Sequence, residues 1–183
     1  GYAMGSGLLE IAGRGLDASR VDALSLLTQA ARVNAGIWAN ELTVDLKTPP
    51  ATPDTLAAPS FALDVAELGG MYANHIWLVG SAHGLGVRNA GNWSADQTLV
   101  VTLDGKLENS AGIDAREVTI QTTALDNVAH GKLLGTRIAL QADRIAKDHR
   151  SDHSESEGAA LRFLHANIND DFEPGRDTVP YEK

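Results

Sequence analysis

The chain has 183 residues and an ordinary apolar content, enough for one domain with a sizeable core. Its formal charge of −9 argues against nucleic acid or an anionic membrane as the main partner. The absence of cysteine excludes disulfides and thiol chemistry and suits a chain that stays unfolded while crossing an oxidising compartment.

In chain order, residues 1–6 stand outside the repeating pattern of the chain and read as an expression scar, which would make the chain a piece of a longer polypeptide. From Gly15 a nine-residue phrase recurs, starting at Gly15, Gly36, Gly70 and Gly112, with looser copies from Gly91 and Lys132. Successive starts lie 21, 34, 21, 21 and 20 residues apart, and the long gap holds the Pro-rich stretch 47–60. A period near 20 residues built on a short apolar strand is the signature of a stacked solenoid. The expected fold is therefore all-β, a parallel β-helix of about seven coils over residues 7–146, with 47–60 as an inserted loop.

The second, seventh and ninth positions of the phrase are apolar: Ile37, Leu42 and Val44; Met71, Ile76 and Leu78; Ile113, Val118 and Ile120; Leu133, Ile138 and Leu140. Residues two apart on a strand share a face, so these should point inward and stack from coil to coil about 4.8 Å apart. The fourth position holds Ala18, Ala39, Ala73 and Ala115, or Gly135, as expected where a turn leaves room for a methyl group. Asn34, Asn89 and Asn109 precede the phrase and, with Gly15, Gly36, Gly70, Gly91 and Gly112, read as coil corners that tolerate left-handed backbone. Asn side chains of adjacent coils either stack as a hydrogen-bonded ladder or sit in ordinary turns. Residues 21–33 carry helical spacing and few β-formers, yet the repeat leaves no room for a helix, and strand is expected there. Residues 147–183 form a polar linker, a further coil around residues 158–168 and an acidic tail, which together should cover the C-terminal strand edge.

Several residues could carry chemistry. Trp38, Tyr72 and Trp93 share the third position, so they should form an outward aromatic column able to stack on sugar rings; packing beneath the 47–60 insertion is the blander account. His149 and His153 have helical metal-ligand spacing but lie in a charged segment better read as linker, while His75, His83 and His130 are scattered. A β-helix enzyme would need converging carboxylates. Asp104 and Asp126 are the nearest approach to a pair, Asp17 and Asp114 share a column, and solvated corner residues explain them better. Neither a nucleophile motif nor a phosphate-binding loop is present, so no enzyme, metal or cofactor is expected.

The stretches GLDASRVDALSLLTQAARVNAGIWANELTV (15–44) and FALDVAELGGMYANHIWLVGSAHGLGVRNAG (61–91) resemble filamentous haemagglutinin-like exoproteins of two-partner secretion, the adhesins and contact-dependent growth-inhibition proteins. The resemblance covers roughly residues 7–146, and residues 147–183 depart from it. It implies a right-handed parallel β-helix at the junction of a secretion domain and a repeat shaft, on a chain secreted to the bacterial surface through an outer-membrane barrel partner. The expected function is a structural shaft segment serving adhesion or growth inhibition, without nucleic acid or membrane insertion. A carbohydrate-binding module facing surface glycans, or a polysaccharide-degrading enzyme, is the alternative.

Overall fold

The computed structural model of the protein describes residues 8–47, 61–81, 86–128 and 130–147. They build twelve strands: β1 (Leu8–Ile11), β2 (Leu16–Thr28), β3 (Ala30–Val33), β4 (Gly36–Leu46), β5 (Phe61–Val65), β6 (Gly70–Gly80), β7 (Gly86–Asn89), β8 (Asn92–Leu103), β9 (Lys106–Asn109), β10 (Gly112–Asn127), β11 (Lys132–Leu134) and β12 (Arg137–Lys147). Every pairing is parallel, and the order β1-β3-β5-β7-β9-β10-β8-β6-β4-β2 turns back through β10, which also pairs with β11 and β12. The architecture is a parallel β-solenoid of about six turns, close to the seven coils the repeat suggests.

Strand β10 displays a whole coil. Residues 112–115 pair with β8 and β11, residues 117–122 with β8 and β12, and residues 124–127 with β9 and β12. Each coil thus has three runs, the first two separated by a register irregularity and the second and third by a corner. The apolar seats of each run align in columns through the stack. One column is Leu16, Ile37, Met71, Trp93, Ile113 and Leu133. Another is Leu24, Leu42, Ile76, Leu99, Val118 and Ile138, and its four middle members are at most 1% exposed. Fully burying such a side chain stabilises a fold by roughly 1.5–3 kcal/mol, and no single coil could bury its own row.

Residues 21–33 are strand despite their helical propensity. Leu24 and Leu26 sit on Leu42 and Val44, and Ala31 sits on Leu63, so pairing with the neighbouring coil overrides a local preference worth only fractions of a kcal/mol, at most about 0.7, per residue. In this first coil three more residues lie between the first and second runs than in the next, since Ala18 pairs with Ala39 and Ala23 with Glu41. Leu16, Leu24 and Leu26 are half-buried, whereas Ile37, Leu42 and Val44 one layer in are at most 1% exposed.

The repeat glycines need correction. Among the described glycines, positive φ occurs at Gly13 and Gly15 and not at Gly36, Gly70, Gly91 or Gly112. What Gly36 and Gly70 provide is room. A Cβ on Gly36 would lie 2.4 Å from the Trp38 ring, and one on Gly70 would lie 2.6 Å from the Tyr72 hydroxyl. The aromatic two residues on folds back over its own glycine.

Candidate functional site

The third-position column runs Asp17, Trp38, Tyr72, Ser94, Asp114 and Leu134. Trp38 and Tyr72 stack with ring centroids 5.9 Å apart and planes 14° from parallel, and Trp38 is 41% exposed. Trp93 does not join them. The strand β8 begins at Asn92, which pairs with Gly70, so the phrase read from Gly91 is one residue out of register. A one-residue slip exchanges the faces of a strand. Trp93 therefore lies in the core between Met71 and Ile113, 1% exposed, with its indole N–H lacking a partner. Gly91 is a corner residue instead, where a Cβ would meet the Gly69 carbonyl oxygen at 2.1 Å. Asp17 and Asp114 do share this column, near its two ends. The Asp17 carboxylate accepts hydrogen bonds from the Ser19 hydroxyl (2.7 Å) and amide (3.0 Å), which hold it below its ordinary range.

An asparagine ladder does exist, but its membership differs from the sequence reading. Ile11, Val33, Val65, Asn89, Asn109 and Asn127 occupy one column. The Asn89 amide donates to Asn109 Oδ1 at 2.8 Å, Asn109 donates to Asn127 Oδ1 at 2.8 Å, and Asn127 donates to the Gly131 carbonyl at 2.7 Å. Asn89 Oδ1 accepts the Gly91 N–H, and Asn109 Oδ1 that of Ala111. Asn89 and Asn109 are fully buried, which their complete bonding permits. Asn34 falls one residue past the column and bonds Glu10 instead. Spacing alone does not reveal Asn127, because four residues, rather than two, separate it from the next strand.

Beside the ladder, facing outward, stands a column of charge: Glu10, Arg32, Asp64, Arg88, Glu108 and Asp126. Arg88 grips Asp64 with two hydrogen bonds of 2.8 and 2.7 Å and lies over the Phe61 ring, 5.1 Å from its centroid. The bond to Asp64 raises the Arg88 pKa further above its ordinary value. Lys106 reaches both Glu108 (3.0 Å) and Asp126 (2.8 Å), and Arg144 also pairs with Asp126 at 3.0 Å. The Lys106 ammonium, with lesser help from Arg144, holds the Asp126 carboxyl below its ordinary range, and Lys106 itself is raised. Asp126 is thus 9% exposed and ion-paired, not a solvated corner. Its register partner is Glu108, so Asp104 and Asp126 are not equivalent positions. The signal is in the sequence, as charges recurring one coil apart, but reading it requires the register.

His75 stacks on Trp77, with centroids 5.4 Å apart, at the edge of an open polar hollow lined by Asp22, Asn40, Glu41, Asn74, His75 and Gln97. His130 lies in a turn between β10 and β11. His83, His149, His153, the 48–60 part of the insertion and the expected C-terminal cover lie outside the described residues. Among the described residues no group of three or more His, Asp or Glu could hold a metal ion, and no helix is long and apolar enough to cross a membrane.

The fold and its ladders define a β-solenoid segment whose coils carry their contacts in continuous columns. No family model matches the chain, and no solved structure matches it. Curated relatives do. Over 147 residues it is 39% identical to "Toxin CdiA" of Yersinia pestis, a match covering 72% of this chain and 4% of that protein. It is 39% identical over 125 residues to "tRNA nuclease CdiA-2" of Burkholderia pseudomallei (strain 1026b), 63% of this chain and 4% of the relative. It is 34% identical over 131 residues to "16S rRNA endonuclease CdiA" of Enterobacter cloacae subsp. cloacae, again 63% and 4%. The chain belongs to the CdiA family, the contact-dependent growth-inhibition proteins of two-partner secretion systems.

The chain spans about 4% of the length of these relatives. Two expectations are corrected by them. Acidity argued against a nucleic-acid partner and the lack of converging groups argued against an enzyme, yet relatives carry the names tRNA nuclease and 16S rRNA endonuclease. Charge and side-chain geometry bound only the residues at hand. The sign of charge over the matched stretch does not limit what relatives of that length touch or cleave.

Proposed function

We propose that this chain is a shaft segment, near the junction with a secretion domain, of a growth-inhibition exoprotein that is exported through an outer-membrane barrel partner and displayed at the bacterial surface. The protein as a whole would be a toxin acting on RNA, as the names of its relatives suggest. The observation that carries the reading is the unbroken register: six layers of apolar residues from Leu16 to Leu133 align without a change of face. Contacts between neighbouring coils alone make a stiff element whose length scales with coil number. A rod of this kind holds an active region away from the cell that displays it.

Deleting one coil tests this in the full-length protein. Removal of residues 92–111 joins Gly91 to Gly112 in phase and sets Asn89 against Asn127. Surface display and inhibition of neighbouring cells should persist. Removal of residues 92–101, half a coil, should abolish display. Loss of inhibition by the in-phase deletion with display intact would refute a shaft role, because a spacer tolerates the loss of one layer.

A further inference from the structure

We infer that the outward column Glu10, Arg32, Asp64, Arg88 and Glu108 fixes the order in which coils stack, by making a skipped coil electrostatically unfavourable. The sign alternates at every step from Glu10 to Glu108. Near-identical coils face one particular error. If a coil is looped out, its two neighbours stack on each other with most apolar seats still matched, because the columns from Leu16 to Leu133 and from Leu24 to Ile138 are aliphatic or aromatic throughout. The asparagine ladder is equally blind within its own stretch, since Asn89 on Asn127 is as good a rung as Asn89 on Asn109.

The charge column is not blind. Neighbouring coils present opposite signs one strand spacing apart, and coils two apart present like signs: Glu10 with Asp64, Arg32 with Arg88, Asp64 with Glu108. Directly opposed like charges on adjacent strands are destabilising and opposite ones stabilising. Where alternation ends, at Glu108 and Asp126, Lys106 is inserted between the two carboxylates and Arg144 adds a second cation. The Asp64–Arg88 pair is the firmest link, with two hydrogen bonds and a guanidinium stacked on Phe61.

The test uses the absence of native cysteine. Asp45 pairs with Val79 and Val79 with Thr102, so Asp45→Cys with Val79→Cys should close a disulfide in the native stack. Asp45→Cys with Thr102→Cys spans two strand spacings, beyond the reach of roughly 7 Å for a disulfide, unless the coil between is skipped. Refolding from denaturant followed by mild oxidation reads both pairs. In the native background the 45–102 crosslink should be at background. Asp64→Arg opposes Arg88 in the native order and attracts Glu108 in the skipped one, so the 45–102 crosslink should rise several-fold.

Asp64→Arg with Arg88→Glu restores the local pair but creates like neighbours with Arg32 and Glu108, so it should rescue only in part. Inverting the column (Glu10→Lys, Arg32→Glu, Asp64→Arg, Arg88→Glu, Glu108→Arg) should return the 45–102 crosslink to background and restore the 45–79 one. If Asp64→Arg does not fold, the inverted variant must still fold and crosslink natively. An unchanged 45–102 yield in Asp64→Arg, full rescue by the local pair alone, or failure of the inverted column would each overturn the inference.

Discussion

One backbone column changes character halfway along the rod. In the amino-side coils it holds Ile11, Val33 and Val65; in the carboxy-side coils it holds Asn89, Asn109 and Asn127. The corners beside it differ as well. After Ile11 and Val65 four residues turn the chain, and the amides of Gly15 and Gly69 bond the carbonyls of Ala12 and Ala66. After Asn89 and Asn109 only two residues turn it, and the Asn side chain accepts the amide that a backbone carbonyl takes elsewhere. Val33 has a two-residue corner without this help, and Asn127 a four-residue corner in which the Gly131 amide bonds the Val128 carbonyl and the Asn127 side chain donates to the Gly131 carbonyl. The same inward seat can therefore be filled by dispersion and apolar burial, or by an amide whose bonds are all made. An amide there is acceptable while a neighbouring amide in the column and the adjoining corner backbone complete its bonds, as Asn109 and Gly91 do for Asn89 beside Val65.

Altering the central rung should have the largest effect. Asn109→Val leaves Asn89 Nδ2, Asn127 Oδ1 and the Ala111 amide short of partners, and at about 1–3 kcal/mol per orphaned buried group the loss should be about 3 kcal/mol. Urea unfolding should show it as a lowered midpoint at unchanged slope. The reverse exchange sharpens the contrast. Val65→Asn extends the ladder by one rung toward Asn89 and should cost about 1 kcal/mol, whereas Val33→Asn sits between Ile11 and Val65 and should cost about 3 kcal/mol. Equal costs for the two would break the comparison.

The next effect in size is at the aromatic pair, which lies entirely in the amino-side coils. Gly36→Ala drives a methyl group into the Trp38 ring and should cost about 1–2 kcal/mol; adding Trp38→Ser should recover most of it, because the ring supplies the three nearest contacts. Thermal unfolding of the single and double variants separates this account from one based on left-handed backbone, where Trp38→Ser would recover nothing.

The smallest effect concerns charge on the carboxy side. Asp126 has a folded pKa below its ordinary 3.8, so the stability it lends is complete above that value and is lost as pH falls through the depressed one. Lys106→Gln should move the Asp126 titration, read by carbon-13 NMR, up toward 3.8 and flatten the dependence of stability on pH below about 4. Lys106 and Arg144 are 41% and 62% exposed, so solvent screening should keep the change in stability under about 1 kcal/mol.

Much of the fold is legible in the sequence because a solenoid writes its tertiary contacts as a period. Leu42, Ile76 and Val118 can be assigned to one interior from spacing alone, and the structure stacks them with Leu99 between the last two. The candidate site is legible only in part. Spacing places Trp38 and Tyr72 correctly on the outside, but it puts Trp93 there too by starting its phrase at Gly91 rather than Asn92. Asn89 and Asn109 are recognisable as corner residues, yet the same reading adds Asn34 and omits Asn127, since corners of two and four residues shift the count.

The sequence by itself determined the repeat, the parallel stacking and the identity of most inward seats, because each of these follows from a hydrophobic pattern recurring within a single coil's length. Register was decided by the tertiary structure. Which side of β8 carries Trp93, which asparagines meet, and how Glu10, Arg32, Asp64, Arg88 and Glu108 fall into one line all depend on pairing between coils. The physical reason is that side chains alternate every residue along a strand, so a corner longer or shorter by one reverses every face beyond it, and only the stacked neighbour selects the answer.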